Sequence, residues 1–131
     1  MIFVNLPVKD LAASRAFFTA LGFAFSEEYS DDRAACVVLA DNIFVMLLRD
    51  DVFATLVKSE VADASRATEV LSCITAESRA EVDALVRRAV EAGGKPWKGS
   101  FAEGPMYGGS FQDLDNHVWE VMHMDADASA H

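Results

Sequence analysis

The stretch Asp113–Met124, DLDNHVWEVMHM, decides how the rest of the chain is interpreted. It predicts a turn followed by a strand over residues 117–124, and side chains alternate between the two faces of a strand. Glu120 is then the one charged residue on a face that is otherwise apolar, while His117 and His123 lie on the opposite face. Because a carboxylate on an apolar face is costly to bury without a partner, Glu120 is the first candidate for a functional group.

Length and charge limit the class of protein. The chain has 131 residues, of which 52% are hydrophobic, so it can bury the core of one globular domain. It carries 11 basic and 21 acidic residues, and its net charge of -10 disfavours nucleic acid and anionic membranes, since both require a basic surface. Its two cysteines, Cys36 and Cys73, show no CxxC spacing, which is typical of free thiols in a reducing compartment. We therefore expect a cytoplasmic protein with neither a nucleic-acid nor a membrane partner.

The order of predicted elements occurs twice along the chain: a strand, a helix and three further strands. Asp10 and Ser78 are the predicted N-caps of the two helices and lie 68 positions apart. The Asp-Asn turns at 41–42 and 115–116, which precede the last strand of each half, lie 74 positions apart. We interpret this as a diverged internal repeat, which predicts an α+β fold of two βαβββ modules. The modules are residues 1–57 and 68–124, with a polar linker at 58–67 and a tail at 125–131. The first strand is predicted over 2–8, the strands after the second helix at about 96–101, 106–112 and 117–124, and Ser78 and Glu81 form a predicted capping box.

Each predicted sheet carries a helix on one face, so that the other faces of the two sheets would line a shared open cup. Alternation within the strands predicts that the cup is lined by Phe3, Asn5, Phe44, Met46, Leu48, Leu71, Cys73, Val118, Glu120 and Met122, with Tyr107 at its rim. An apolar lining with a few convergent polar groups is typical of a small-molecule site, although apolar residues at this period also occur in ordinary cores. Gly108-Gly109, inside the predicted strand 106–112, indicates a bulge or a close approach by backbone or ligand.

The layout and four motifs resemble the vicinal-oxygen-chelate superfamily, which includes glyoxalase I, bleomycin-resistance proteins and extradiol dioxygenases. The motifs are VKDLAASRAFFTALGF, IFVMLL, the helix end EAGG, and DLDNHVWEVM, which resembles the family element D-P-D-G-x-x-x-E. Leu114 stands where the family usually has Pro, and Asn116 where it usually has Gly; Asn tolerates the left-handed turn conformation. The resemblance implies one glyoxalase-like domain over residues 1–131, paired modules that form an open cup, and a homodimer.

In the metalloenzymes of this superfamily a divalent ion is held in the cup by His and Glu from the first and fourth strands of each module. Carried over to this sequence, the four ligand positions fall on Phe3, Met46, Leu71 and Glu120. A shift of two residues along the first strands replaces the two apolar positions there with Asn5 and Cys73. Only Glu120 is a family ligand, and a zinc or nickel site needs about three protein ligands. We therefore predict no cofactor; an irregular divalent-metal site of Cys73, Glu120 and Asn5 is the disfavoured alternative.

Two functions remain open at this point, beside a third possibility, a dimer whose cup is filled by side chains and that serves only in protein interactions. The first is a glyoxalase/bleomycin-resistance-like protein that binds a small apolar or amphipathic molecule in the cup without the usual metal. The second is a lyase or isomerase resembling lactoylglutathione lyase, in which Glu120 acts as general base. Glu120 itself is either an acceptor for a ligand hydroxyl or amine, or a structural group whose hydrogen-bond donor is Tyr107, Asn5 or a buried water.

Overall fold

The N-terminal part of the chain folds as a four-stranded sheet with a helix between its first two strands. The structure is a computed structural model that describes residues 1–125, so the predicted tail lies outside the described residues except for Asp125. The chain divides into two units, Met1–Asp63 and a second that begins at Ala64, at a point within the predicted linker. The elements of the first unit are β1 (Ile2–Val8), α1 (Leu11–Ala20), β2 (Ala24–Ser26), β3 (Ala34–Ala40), β4 (Ile43–Arg49) and α2 (Asp50–Leu56).

Strands of the first unit lie in the order β1-β4-β3-β2, with β1 parallel to β4 and the other neighbours antiparallel. Asp10 caps α1 as predicted: its Oδ1 accepts a hydrogen bond of 3.0 Å from the backbone N–H of Ala13. The apolar stripe of α1 buries Phe17 and Phe18. Gly22, which follows the helix, has φ of 100°, and this left-handed conformation turns the chain toward β2.

The second unit repeats this arrangement with one difference. Its elements are β5 (Leu71–Thr75), α3 (Arg79–Glu91), β6 (Lys95–Pro96), β7 (Phe101–Glu103), β8 (Met106–Gln112) and β9 (Val118–Met124). The strands lie in the order β5-β9-β8-β6, with β7 also paired to β8 and β5 parallel to β9. The predicted fold class is therefore confirmed: the chain is a mixed α+β protein with two sheets. No helix among residues 1–125 is long and apolar enough to cross a membrane.

The difference is that two short strands, β6 and β7, replace the single strand predicted over 96–101. The Ser110 hydroxyl of β8 accepts a hydrogen bond from the backbone N–H of Lys98 (3.0 Å) and donates one to the carbonyl of Lys98 (3.2 Å). A side chain thus takes the place of the backbone ladder at this point, and Gly99 follows immediately. The sequence prediction was wrong here because this long-range contact cannot be read from the local pattern.

The capping box of α3 is confirmed with one change of partner. Ser78 Oγ accepts a hydrogen bond of 3.1 Å from the backbone N–H of Glu81. The Glu81 carboxylate accepts one of 2.8 Å from the N–H of Glu77, one residue before the cap. Two N–H groups at the start of the helix are thereby satisfied, which stabilises the helix end by about 1 kcal/mol.

The adjacent glycines of β8 admit close contacts on both faces of the second sheet. A methyl group at Gly109 would lie 3.0 Å from Cγ2 of Val86 and 3.5 Å from Cγ1 of Val82, so α3 packs directly on the strand backbone there. A methyl group at Gly108 would lie 2.7 Å from Cε1 of Phe101, on the face opposite α3. The close approach that the glycine pair indicated is made by side chains.

Candidate functional site

A buried aspartate holds the turn that leads into β9. Asp113 is 3% exposed, and its Oδ1 accepts hydrogen bonds from the backbone N–H groups of Asp115 (2.9 Å) and His117 (3.0 Å). Its Oδ2 accepts one of 3.0 Å from the indole Nε1 of Trp119. Asn116 takes the left-handed conformation with φ of 68°, as the motif predicted. Burial raises the pKa of Asp113 above its ordinary value, against the opposing effects of His117 and the indole hydrogen bond.

Sequence reasoning did not identify Asp113 as a structural residue. The available signal was Trp119, because a buried indole N–H needs an acceptor and an aspartate stands six residues before it. This set of hydrogen bonds holds the turn immediately before the first residue of β9.

Side chains of β9 alternate as predicted. Trp119 and Val121 are 1% and 0% exposed and face α3, whereas Glu120 is half-buried and faces away from the helix. His123 also lies on the α3 side, where its Nδ1 is 2.9 Å from the carbonyl oxygen of Ala76. The histidine is therefore held apart from Glu120.

The neighbours of Glu120 across the sheet are Cys73 on β5 and Ser110 on β8, and we call these three residues the Glu120 row. Ser110 Oγ is committed to the backbone of Lys98, as described above. Cys73 is exposed, and partial burial together with the negative charge of Glu120 raises the pKa of its thiol. Within residues 1–125, no group donates a hydrogen bond to the Glu120 carboxylate. The acid is thus available to a ligand.

An equivalent row in the first unit carries no charge. In it Met46 lies between Asn5 on β1 and Cys36 on β3, and we call these three residues the Met46 row. Its members precede those of the Glu120 row by 68, 74 and 74 positions, which are the spacings of the sequence repeat. Cys36 is fully buried, and burial raises the pKa of its thiol. The Met46 row therefore offers neither an acid nor a reactive nucleophile.

An aromatic cluster lies beside the Met46 row. Phe3 and Phe44 are paired across β1 and β4, and their rings stack with centroids 4.8 Å apart. Tyr29 meets both rings edge-on, at 5.6 Å from Phe3 and 6.2 Å from Phe44. Phe3 is 39% exposed and Tyr29 is 45% exposed, so the cluster presents apolar surface to solvent. Sequence reasoning predicted the two phenylalanines for this face and missed the tyrosine, which follows β2 outside any strand.

The predicted site residues divide between the two units. One face of the first sheet carries the predicted residues of that unit, since Phe44 is paired with Phe3 and Met46 with Asn5. They are Phe3, Asn5, Phe44, Met46 and Leu48. On the face of the second sheet opposite α3, the same alternation groups Leu71, Cys73, Val118, Glu120 and Met122.

Tyr107 requires a correction, because the structure places it on the other face. It is paired with His123 on the α3 side, and its hydroxyl donates a hydrogen bond of 2.6 Å to the carboxylate of Asp83 on α3. The guanidinium of Arg79 lies 5.2 Å from the centre of its ring. Tyr107 is therefore neither a rim residue of the Glu120 face nor the donor to Glu120.

Phe101 of β7 takes a place on the Glu120 face that the sequence did not predict. It is paired with Gly108, which is in turn paired with Met122 of β9. Phe101 is 38% exposed, so part of its ring remains open to solvent while the rest covers the strand at Gly108.

In this chain, the residues at the positions that hold the metal in superfamily enzymes do not fit a divalent cation. Strand pairing sets Asn5 beside Met46 in one unit and Cys73 beside Glu120 in the other. A thioether and an amide are poor ligands for zinc or nickel, and the raised pKa of Cys73 disfavours the thiolate that a metal requires. The part of the chain that the structure describes contains no group of three or more His, Cys, Asp or Glu side chains able to hold a metal ion.

Comparison with known proteins identifies the class to which this fold belongs. Residues 1–39 match the family described as bleomycin resistance protein-like N-terminal. A hypothetical protein from S. aureus, SA1046, has a similar structure with a TM-score of 0.82 and 26% identity, covering 94% of this chain and 92% of the other. No protein with a curated function matches the sequence.

Two further solved structures carry functional names. A glyoxalase/bleomycin resistance protein/dioxygenase family enzyme from Burkholderia phytofirmans PsJN gives a TM-score of 0.78 with 19% identity, over 93% of this chain and 96% of that protein. The fosfomycin resistance protein FosX from Listeria monocytogenes gives a TM-score of 0.70 with 20% identity, over 97% and 94%. The resemblance is thus confirmed at the level of the fold: the chain has the fold of glyoxalase/bleomycin resistance/dioxygenase proteins, and its residues 1–39 match the bleomycin resistance protein-like pattern.

Proposed function

We propose that this chain binds a small amphipathic organic molecule, and that the Glu120 carboxylate accepts a hydrogen bond from a hydroxyl or amine of that ligand. The observation that carries the proposal is the state of Glu120 itself, a half-buried acid that no donor within residues 1–125 satisfies. The carboxylate oxygens are not fully buried, so water reaches them in the free protein. A ligand that brings a donor replaces this water with a direct hydrogen bond to a charged acceptor, which is stronger than a hydrogen bond between neutral groups.

The surroundings of Glu120 suit the apolar part of such a ligand. Leu71 is 52% exposed, and Met122 is half-buried on the same face. Methionine adapts its shape to different partners, which suits a site for a small molecule. An apolar surface with one convergent polar group is the usual composition of a small-molecule site.

The binding test compares the wild type with Glu120→Gln, using 2-phenylethanol and 2-phenylethylamine as probes in NMR titrations. Each probe joins one donor group to an apolar body. We expect both to bind the wild type with a Kd in the millimolar range, and the variant to bind them several-fold more weakly, because its amide accepts a weaker hydrogen bond. Glu91→Gln, an exposed acid on α3, is the matched control and leaves binding unchanged. Equal affinities in wild type and Glu120→Gln would refute the role of the carboxylate.

We further propose that the ligand is bound without the metal that superfamily enzymes use. The support is the donor set described above, in which Glu120 is the one family ligand retained. Elemental analysis of protein purified without chelators tests this directly. We expect far less than one equivalent of zinc, nickel, manganese or iron per chain. A stoichiometric ion that is lost in Glu120→Gln would overturn the proposal.

The second candidate is catalysis of the lyase or isomerase type, resembling lactoylglutathione lyase. It is favoured by the same half-buried Glu120, which could take a proton from the carbon beside a carbonyl group and return it to a neighbouring carbon. The hemithioacetal of methylglyoxal and glutathione is the test substrate, with and without added Ni²⁺ or Zn²⁺. Turnover that disappears in Glu120→Gln while the fold is retained would establish this candidate. Absence of turnover under all of these conditions would eliminate it.

A cytoplasmic homodimer is part of the proposal, as the resemblance implies. Its support is that β1 and β5 are the outermost strands of their sheets and carry exposed apolar residues, including Ile2 at 53% and Val70 at 58% just before β5. Light scattering coupled to size-exclusion chromatography gives the mass in solution. A mass of one chain across micromolar concentrations would contradict the dimer.

A further inference from the structure

Phe101 occupies a position from which it can contact whatever binds Glu120. Its ring lies against the backbone of Gly108, with Cε1 and Cζ at 2.7 and 2.8 Å from the point where a methyl group would stand. The absence of a side chain at Gly108 is therefore what lets the ring approach the sheet this closely. Because Phe101 is 38% exposed, part of its side chain remains accessible to a ligand.

The distance between Gly108, which the ring contacts, and Glu120 follows from the strand pairing. Glu120 is opposite Ser110 on β8, and Gly108 is two residues further along β8 on the same face. Such diagonal neighbours across a strand pair are about 7–8 Å apart, within reach of aromatic and long side chains. Met122 is opposite Gly108 and follows Glu120 by two residues on the same face of β9, so it adjoins both. A small molecule on Glu120 can therefore touch Met122 and Phe101 at once.

The charges on this face favour a cation. On the strands β5, β7, β8 and β9, the charged side chains of the face are Glu120 and Glu103, and none of the residues described there is basic. Lys95 on β6 shares the face at the far end, but its Nζ donates a hydrogen bond of 3.3 Å to Asn116 in the turn. The chain as a whole has a net charge of -10, which attracts cations and repels anions.

We infer that Glu120 and Phe101 together recognise a cationic amine joined to a flat apolar group. This inference rests on the proposed function and names its ligand class. The ammonium donates to the Glu120 carboxylate, which makes a charge-assisted hydrogen bond about twice as strong as a neutral one. The flat group stacks on the accessible side of Phe101 and contacts Met122, a geometry that favours an aromatic ring over an alkyl chain.

The test uses four probes that separate charge from shape. 2-Phenylethylamine, 2-phenylethanol and 3-phenylpropionate share the ring and differ in charge, whereas hexylamine keeps the charge and lacks the ring. Affinities come from NMR titrations, with the amide of Gly108 as a reporter because it lies under the Phe101 ring. We expect 2-phenylethylamine to bind most tightly and 3-phenylpropionate to bind most weakly. Added salt should reduce the affinity for 2-phenylethylamine more than that for 2-phenylethanol.

Two variants assign the effects to residues. Phe101→Leu keeps an apolar side chain but removes the ring, and it weakens 2-phenylethylamine by about 2- to 12-fold while leaving hexylamine nearly unchanged. In Glu120→Gln the preference for the amine disappears, so that the variant binds 2-phenylethylamine and 2-phenylethanol with equal affinity. Phe25→Leu is the matched control: it removes a ring that lies under Arg15 in the first unit and leaves all four affinities as they were. Phe101→Trp keeps an aromatic surface and retains the preference, should the leucine variant fold poorly.

Failure of the inference is distinguishable from failure of the proposed function. Equal binding of the alcohol and the amine, both dependent on Glu120, would overturn the cationic class and leave the function standing. A preference for 3-phenylpropionate would also overturn the class. If Phe101→Leu reduced the affinities for hexylamine and 2-phenylethylamine by the same factor, the role of the ring would be overturned. No shift at Gly108 and no binding of any probe at millimolar concentration would overturn both.

Discussion

Substitution by alanine should change the stability of the protein differently at the two adjacent glycines of β8, Gly108 and Gly109. Gly109→Ala places a methyl group 3.0 Å from Cγ2 of Val86 and 3.5 Å from Cγ1 of Val82, on a helix that cannot move without disturbing the core. Gly108→Ala places one 2.7 Å from Cε1 of Phe101, which is the outer end of a partly exposed side chain. The first substitution is therefore predicted to reduce stability, and the second to displace a side chain from the Glu120 face.

Magnitudes follow from two opposing effects. Replacing glycine by alanine stabilises the folded state by about 0.4–1 kcal/mol where the backbone conformation allows it, because the unfolded chain loses freedom. Neither glycine has a positive φ, so this gain applies at both positions. Overpacking of a core costs about 1–3 kcal/mol, so Gly109→Ala should lower the free energy of unfolding by roughly 0.5–2 kcal/mol. For Gly108→Ala the ring can rotate away, whereas the carbonyl oxygen of Val121, 3.2 Å from the new methyl group, must shift by a few tenths of an ångström. The cost of this shift offsets the gain from the unfolded chain, and we expect a net change within about 0.5 kcal/mol of zero.

Urea unfolding followed by circular dichroism measures both variants, and a double variant identifies the contact. Val86→Ala removes the methyl group that Gly109→Ala meets, so the double variant should be less destabilised than the sum of the single variants by about 1 kcal/mol. Strictly additive costs would show that Val86 is not the obstacle. In the probe titrations, Gly108→Ala should lose the preference for 2-phenylethylamine over hexylamine, while Gly109→Ala keeps it. Equal stability losses in the two alanine variants would refute the reasoning.

Three further predictions test the cap, the thiol and the turn. Ser78→Ala should lower the free energy of unfolding by about 1 kcal/mol, since it leaves an N–H at the start of α3 without its acceptor; urea unfolding measures this, and no change would contradict the cap. Cys73 should react slowly with iodoacetamide at pH 8, because burial and, in second place, the charge of Glu120 raise the pKa of its thiol. It should react faster in Glu120→Gln, which removes the second cause; mass spectrometry follows the reaction, with buried Cys36 unmodified as internal control. Burial raises the pKa of Asp113 in the folded state above 3.8, so between these two pKa values the folded state retains a proton that the unfolded state has lost. The wild type should therefore lose stability relative to Asp113→Asn as the pH rises from 3.8 through the raised pKa. Urea unfolding across this range should show that slope, and the opposite slope would contradict it.

Elements whose signals are local could be predicted from the sequence alone. The bounds of β1 (Ile2–Val8) and β8 (Met106–Gln112) match the predicted strands, because β1 is a mostly apolar run that ends just after Pro7 and β8 lies between two turn signals. The caps Asp10 and Ser78 could be predicted because a capping side chain bonds to a backbone group three residues away. Two-residue alternation then placed Glu120 on the face opposite α3 before any contact was known.

Features that depend on contacts distant in sequence could not be predicted. The division of one predicted strand into β6 and β7 depends on Ser110, whose hydroxyl bonds to Lys98 twelve positions away. Phe101 became a site residue only through that division, since it brings β7 onto β8 at Gly108. Tyr107 was assigned to the wrong face because the sequence did not show that its hydroxyl bonds to Asp83 on α3.

The two equivalent rows explain why the candidate chemistry is confined to the second unit. Strand pairing gives the Met46 row and the Glu120 row the same arrangement, a central residue flanked by a parallel strand and an antiparallel one. The centre is a thioether in one and a carboxylate in the other, so equal backbone geometry provides an apolar surface in one unit and an acceptor in the other. Among the residues that the structure describes, the side chains of Ser110 and Cys73 in the Glu120 row both direct their polar contacts to backbone groups, of Lys98 and Ile74, and not to the acid. Because no group within residues 1–125 donates a hydrogen bond to Glu120, we expect the proposed ligand to be recognised by the donor that it brings to this carboxylate.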